Sequence, residues 1–113
     1  MSDGVLVDTD ALVDHLRGAR RFDPAERVHV SVVTRAELCA GHATDEARVI
    51  RLLEPFVEHA IDARIAEQAG RIRRTHGLRL PDALIAATEL TFDLALMTRN
   101  RRAFEAVIGL RLA

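Results

Sequence analysis

Strand-like apolar runs alternate with helix-patterned stretches along this chain, and that alternation restricts it to one kind of fold. Gly4 to Asp8 is a short continuous apolar run, as is Leu94 to Met97, and both read as strands buried on two faces. The β-branched segment His29 to Val33 reads as another strand, Val57 as part of a third, and Leu110 to Leu112 as an edge strand. Between them lie helical patterns. Asp10 is placed to cap a helix carrying Leu12, Val13 and Leu16, with Gly18 past its end. Thr34 opens a helix to about His42, and Thr44-Asp45 caps one through Leu53 that Pro55 stops. Residues 61 to 77 put Ile61, Ile65, Ala69 and Ile72 on one face and Arg64, Glu67, Arg71 and Arg74 on another, with Gly77 ending the helix. Pro81 starts a further helix, and Phe104 to Val107 forms a short one. Arg20 to Arg27, with Pro24, reads as a loop. Such an order predicts an α/β fold with a parallel sheet covered by helices on both faces.

At 113 residues the chain is expected to be one domain, 1 to 113, with enough apolar side chains for a core without staples. A net charge of −1 gives no global basic signal for nucleic acid, although the chain has sixteen arginines and no lysine. Cys39, alone, excludes an internal disulfide framework and fits a reducing compartment. No stretch approaches the ~18 apolar residues of a membrane span. The start, Met1-Ser2-Asp3-Gly4, lacks the basic and apolar regions of a secretory signal. A soluble cytoplasmic protein that does not bind membranes is the expectation.

In open parallel α/β sheets, ligands bind beyond the carboxyl ends of the strands. Asp8 and Thr98-Arg99-Asn100 follow strands directly, Glu37 falls in the first turn after the second strand, and Asp82 begins a helix. Each has a purely structural use as well. Asp8 can turn the backbone, Thr34-x-x-Glu37 has the form of a capping box, and Asp82 is favourable at a helix N-terminus. Brought together, three carboxylates repel unless a cation neutralises them, and Mg²⁺ prefers such oxygen ligands. A rival reading comes from Asp8-Thr9-Asp10 after an apolar strand, the Asp-x-Asp form of haloacid-dehalogenase-type phosphatases. Those enzymes also need a cationic group, usually Lys, and a later acidic pair at a strand end; this chain has no Lys, and its later strand ends in Thr98-Arg99-Asn100. The five histidines show no ligand spacing, and Cys39 reads as a small packing residue.

With these segments in place, the chain resembles the PIN-domain ribonucleases, specifically the VapC-type toxins of bacterial toxin–antitoxin pairs. The matching pieces are Val7-Asp8-Thr9, Ser31 to Leu38 with Gly41, Leu80 to Thr88, and Leu96 to Asn100 with Phe104. They run in family order across nearly the whole chain. The resemblance implies a three-layer sandwich with a parallel sheet of about five strands, and Mg²⁺- or Mn²⁺-dependent cleavage of RNA. It also implies a VapB-type antitoxin whose C-terminal tail blocks the site, and a homodimer, for which the helices after Thr34 and Asp45 offer apolar surface. Position by position, Asp8, Glu37 and Asp82 match the family's acidic metal-site residues, and Asn100 matches a fourth position that is acidic in many members. Thr9 and Thr98 match supporting hydroxyl positions. Ala103 stands where members often carry a further Asp. Arg79, Arg99, Arg101 and Arg102 flank the expected rim as candidate RNA contacts. An alternative is a PIN-fold binding or regulatory module whose metal site is weakened by Asn100 and Ala103.

Overall fold

A computed structural model describes residues 4–18, 22, 27–41 and 45–113. The expected loop around Pro24, the start of the chain, His42 and the Thr44 half of the Thr44-Asp45 cap lie outside the described residues. The described residues form five strands: β1 Gly4–Val7, β2 Arg27–Ser31, β3 Val57–His59, β4 Ala95–Met97 and β5 Arg111–Leu112. Among the described residues six helices connect and cover them: α1 Thr9–Leu16, α2 Val32–Cys39, α3 Glu46–Leu53, α4 Ala63–His76, α5 Leu80–Phe92 and α6 Arg101–Phe104. The sheet order is β3-β2-β1-β4-β5, with every neighbouring pair parallel.

Alternation along the central strand divides the core in two. Leu6, with Leu96 of β4, packs into a cluster with Ile65, Ala69 and Ile72 of α4, Ala83, Ile85 and Ala87 of α5, and Phe104. Val5 and Val7, with Met97, face the other way onto Ala11 and Leu12 of α1 and Val49 and Leu53 of α3. Side chains of adjacent strand residues point to opposite faces, so one uniformly apolar run feeds two cores. This is the expected three-layer arrangement.

Local capping sets the element boundaries, and it moves several of them from their expected places. Asp8, not Asp10, caps α1: its Oδ1 accepts from the Ala11 N–H at 3.0 Å. The second strand ends at Ser31, two residues before the expected Val33, because Ser31 accepts from the Val33 N–H at 3.0 Å and starts α2 there. Val32 and Val33 are thus helical despite their strand preference. The hydroxyl supplies an acceptor that a further strand residue would not have. Asp45 and Asp62 cap α3 and α4 through the N–H groups of Arg48 and Ile65. Gly77 closes α4 in the left-handed region at φ 72°. The last helix spans Arg101–Phe104 and not Phe104 to Val107; beyond it the Val107 N–H returns to the Phe104 carbonyl in a turn.

Two polar contacts lie inside this frame. His29 and His59, on neighbouring strands, stack with a 5° interplanar angle, and their Nδ1 and Nε2 atoms lie 2.8 Å apart. They fit because residue 4 is glycine: a Cβ there would sit 2.6 Å from His29 Nε2 and 3.0 Å from the Arg27 carbonyl oxygen. Glu89 of α5 is 1% exposed and accepts the Arg111 N–H of β5 at 3.2 Å. Burial pushes its carboxyl up to about 7, against the lowering effects of that hydrogen bond and of the Arg111 charge.

Gly4→Ala is expected to destabilise the protein by about 1–3 kcal/mol through this clash, checked by urea unfolding. Because the folded value for Glu89 is raised above its ordinary 4.5, its stabilising contribution is complete below that pH and lost as pH rises towards 7. Glu89→Gln removes that titration and should gain on the parent by on the order of 2–3 kcal/mol between pH 5 and pH 8. A pH-independent difference between the two unfolding curves would contradict the assignment.

Candidate active site

The chain moves from β1 through β2 to β3 on one side of the sheet, then crosses to β4 and β5 on the other. The order reverses between β1 and β4, the crevice where open α/β sheets bind ligands. Asp8 leaves the end of β1 and Thr98 the end of β4, and the Asp8 N–H donates to the Met97 carbonyl at 3.1 Å. Both side chains are buried, at 8% and 2% exposure. The Thr98 hydroxyl accepts the Asn100 N–H at 3.0 Å and lies near enough to the Asp8 carboxylate to favour its ionised form. Thr98 therefore supports the acid from behind.

One small cleft, of about 80 Å³, opens at this point and is lined by Asp8, Thr9, Asp10, Glu37, Arg79, Asp82 and Ile85. Asp8 arrives from the end of β1, Thr9 and Asp10 from the first turn of α1, Glu37 from α2, and Asp82 from the first turn of α5. Three separated stretches of sequence thus deliver their carboxylates to one place. Glu37 is not bound to its own helix terminus. Ser31 caps α2, Thr34 is already inside it, and Glu37 Oε1 instead accepts from Thr9 Oγ1 at 2.6 Å. Thr9 Oγ1 also lies 3.1 Å from the buried Thr34 hydroxyl, so a hydroxyl pair orients the Glu37 carboxylate from the floor of the cleft.

Electrostatics mark the same spot. Burial raises the Asp8 carboxyl above the usual carboxylate range. The Thr98 hydroxyl and the Ala11 N–H act against that rise, while the negative charges of Asp10 and Asp82 add to it. Asp82 is partly neutralised by Arg79 Nε at 3.5 Å, and Pro81 opens its helix without losing a needed N–H. Among the described residues, no three His, Cys, Asp or Glu side chains already form a metal cage. The acids surround the cleft without converging on a single point.

The remaining expected residues distribute unevenly. Asn100 is exposed and its side chain makes no cap bond to α6; it is not among the residues lining the cleft. Of the four arginines, only Arg79 lines it. Arg99 pairs with Asp14 at 3.3 Å and Asp10 at 3.5 Å, tying the loop after β4 to α1. Arg101 donates to the Ala113 carbonyl at 2.7 Å, and Arg102 is exposed. Asp10 was expected as a cap or as a phosphatase acid; it is an exposed cleft residue held by Arg99. Its position becomes readable once Asp8 is taken as the N-cap, which puts residue 10 in the first helical turn. Ile85, an apolar wall of the cleft, had no signal apart from its core periodicity.

Known proteins share this architecture over the full span. The PIN domain family model matches residues 5–110. Ribonuclease VapC10 of Mycobacterium tuberculosis is 41% identical over 112 residues, with 85% of this chain and 82% of that protein covered. Ribonuclease VapC19 of the same organism is 34% identical, covering 88% and 90%. A chain in the solved toxin–antitoxin complex from Klebsiella pneumoniae has a TM-score of 0.78 and 32% identity over 95% of each chain. A buried Asp8 at the sheet's crossover and acids from two further helices fit that membership, and the chain belongs to the PIN-domain family, in its VapC group.

Proposed function

We propose that this chain is the ribonuclease toxin of a toxin–antitoxin pair, and that it hydrolyses RNA phosphodiester bonds at the cleft lined by Asp8, Glu37 and Asp82 with the help of a divalent cation. The placing of these three carboxylates around one cleft at the crossover of the sheet carries the reading. A hard cation suits the donor set. Mg²⁺ keeps several of its waters and is commonly held by one or two carboxylates, so an open ring of acids fits it better than a closed cage would. Asp8 and Asp82 are the proposed principal ligands, with Glu37 completing the ring. When bound, the cation supplies Lewis-acid charge and lowers the pKa of a water.

The chain's own groups do the rest. Thr98 and the Ala11 N–H hold the Asp8 carboxylate in one orientation, and Thr9 holds Glu37. Arg79, exposed beside Asp82, is placed to meet a phosphate oxygen when its carboxylate partner is taken up elsewhere. Asn100, outside the cleft lining, would serve as a hydrogen-bonding neighbour of the substrate. A VapB-type antitoxin is the proposed partner, in line with the complexes in which the structural relatives occur, and a homodimer the proposed assembly. The 44% exposed Ile50 of α3 is consistent with helix surface reserved for such contacts. The cytoplasm is the proposed location; among the described residues no helix is long and apolar enough to cross a membrane.

One observation favours the weaker-site alternative. Ala103, at a position that the family resemblance implies is often acidic, packs against the core, so the cleft gains no further carboxylate there. Calorimetric titration with Mn²⁺ separates the readings: binding at or below millimolar metal supports the nuclease, and its absence supports a binding module. Asp8→Asn and Asp82→Asn are each expected to abolish Mg²⁺-dependent RNA cleavage while leaving the circular dichroism spectrum unchanged. Full activity in either purified variant would overturn the assignment.

A further inference from the structure

Charge is segregated in this molecule. Residues 63 to 79 carry five arginines against one acid, Glu67, a net charge of +4 in a chain whose total is −1. The cleft has the opposite character, with Asp8, Asp10, Glu37 and Asp82 in its wall. Its nearby arginines are committed to acids, Arg79 to Asp82 and Arg99 to Asp10 and Asp14. A polyanion gains little there without metal, so its binding energy must be found elsewhere on the surface.

The outward face of α4 supplies a place. Arg64, Gln68, Arg71 and Thr75 recur at helical spacing along it, and a groove of about 260 Å³ runs between this face and Thr91 of α5. Arg64, Glu67, Gln68 and Arg71 line the groove, and among the described residues neither arginine there is in an ion pair. Thr91 donates to the Ala87 carbonyl and approaches Gln68 Oε1 at 3.4 Å, which leaves the Gln68 amide NH₂ as a further donor. The backbone positions of Arg64 and Arg71 lie about 10 Å apart along the helix axis. The residues Gly77, Leu78 and Arg79 join α4 to α5, so the helix leads directly to Arg79 at the cleft mouth.

We infer that α4 is a basic track that holds the phosphate backbone of a single-stranded RNA segment leading into the acidic cleft. This rests on the ribonuclease reading above. Guanidinium groups match phosphate oxygens bidentately, and the groove offers no aromatic ring for base stacking. Grip along α4 is therefore through the backbone and indifferent to sequence.

The test is fluorescence anisotropy of the full chain with a labelled single-stranded RNA of mixed sequence, in EDTA so that nothing is cut. The double variant Arg64→Gln/Arg71→Gln should bind about fivefold or more weakly, and its log–log salt slope should shrink by about 1.4, two contacts at about 0.7 each. Arg17→Gln, at an exposed position just beyond α1, should match the parent. Unchanged affinity and slope in the α4 variant, while the parent binds and cleaves RNA, overturns the track alone. Equal loss in both variants also overturns it, since diffuse charge would then suffice. A parent that does not bind RNA in EDTA overturns the track, and one that also fails to cleave RNA when Mn²⁺ is supplied overturns the nuclease reading with it.

Discussion

The central strand, β1, is hydrogen-bonded on both sides and buried on both faces, and the rest of the fold is arranged by that fact. Only apolar side chains satisfy two cores at once, so Val5, Leu6 and Val7 leave no room for a polar group until the strand ends. The first polar side chain after them, Asp8, then emerges in the middle of the sheet edge, between the ends of β2 and β4. Its burial follows from its position. A carboxylate so placed needs partners, and it finds the Ala11 N–H, the Thr98 hydroxyl and, in the proposed reaction, a cation.

Much of this could be read from residue order. Uniform apolar runs and the face Ile65, Ala69 and Ile72 predicted the layers correctly, because burial on two faces and helical periodicity leave strong patterns. The errors came from competition between side chains for the same backbone groups. Ser31 and Thr34 are both plausible caps, and choosing Thr34 placed the helix start three residues late and offered Glu37 its own helix terminus as a rival to the cleft. Asp8 and Asp10 competed in the same way. Whether Asn100 reaches the cleft depends on the turn at residues 98 to 100, where no periodicity operates. The fate of Arg99 depended on α1 lying alongside, a contact between residues 85 positions apart.

Arginine divides its work across the molecule. Near the cleft it balances acids whose mutual repulsion would otherwise favour opening: Asp82 with Arg79, Asp10 and Asp14 with Arg99. On α4 it is left unbalanced. A net charge close to neutral thus conceals two opposed surfaces, one suited to a cation and the other to a polyanion. The lack of any global basic signal was uninformative for that reason, because the two signs cancel only in the total.

Glu89 solves a problem of alignment at the far end of the sheet. The final strand has two residues, too few for an inside–outside pattern to choose one pairing with β4 over a neighbouring one. The Ala113 N–H reaches the Leu96 carbonyl at 2.7 Å, and two residues earlier the Arg111 N–H meets the Glu89 carboxyl. A side chain from a helix thereby lengthens the hydrogen-bonded ladder beyond the strand that should supply it. Slippage of the chain end by one residue would break that bond and leave an acid buried without a donor, so the register of the sheet's last edge is fixed from beneath.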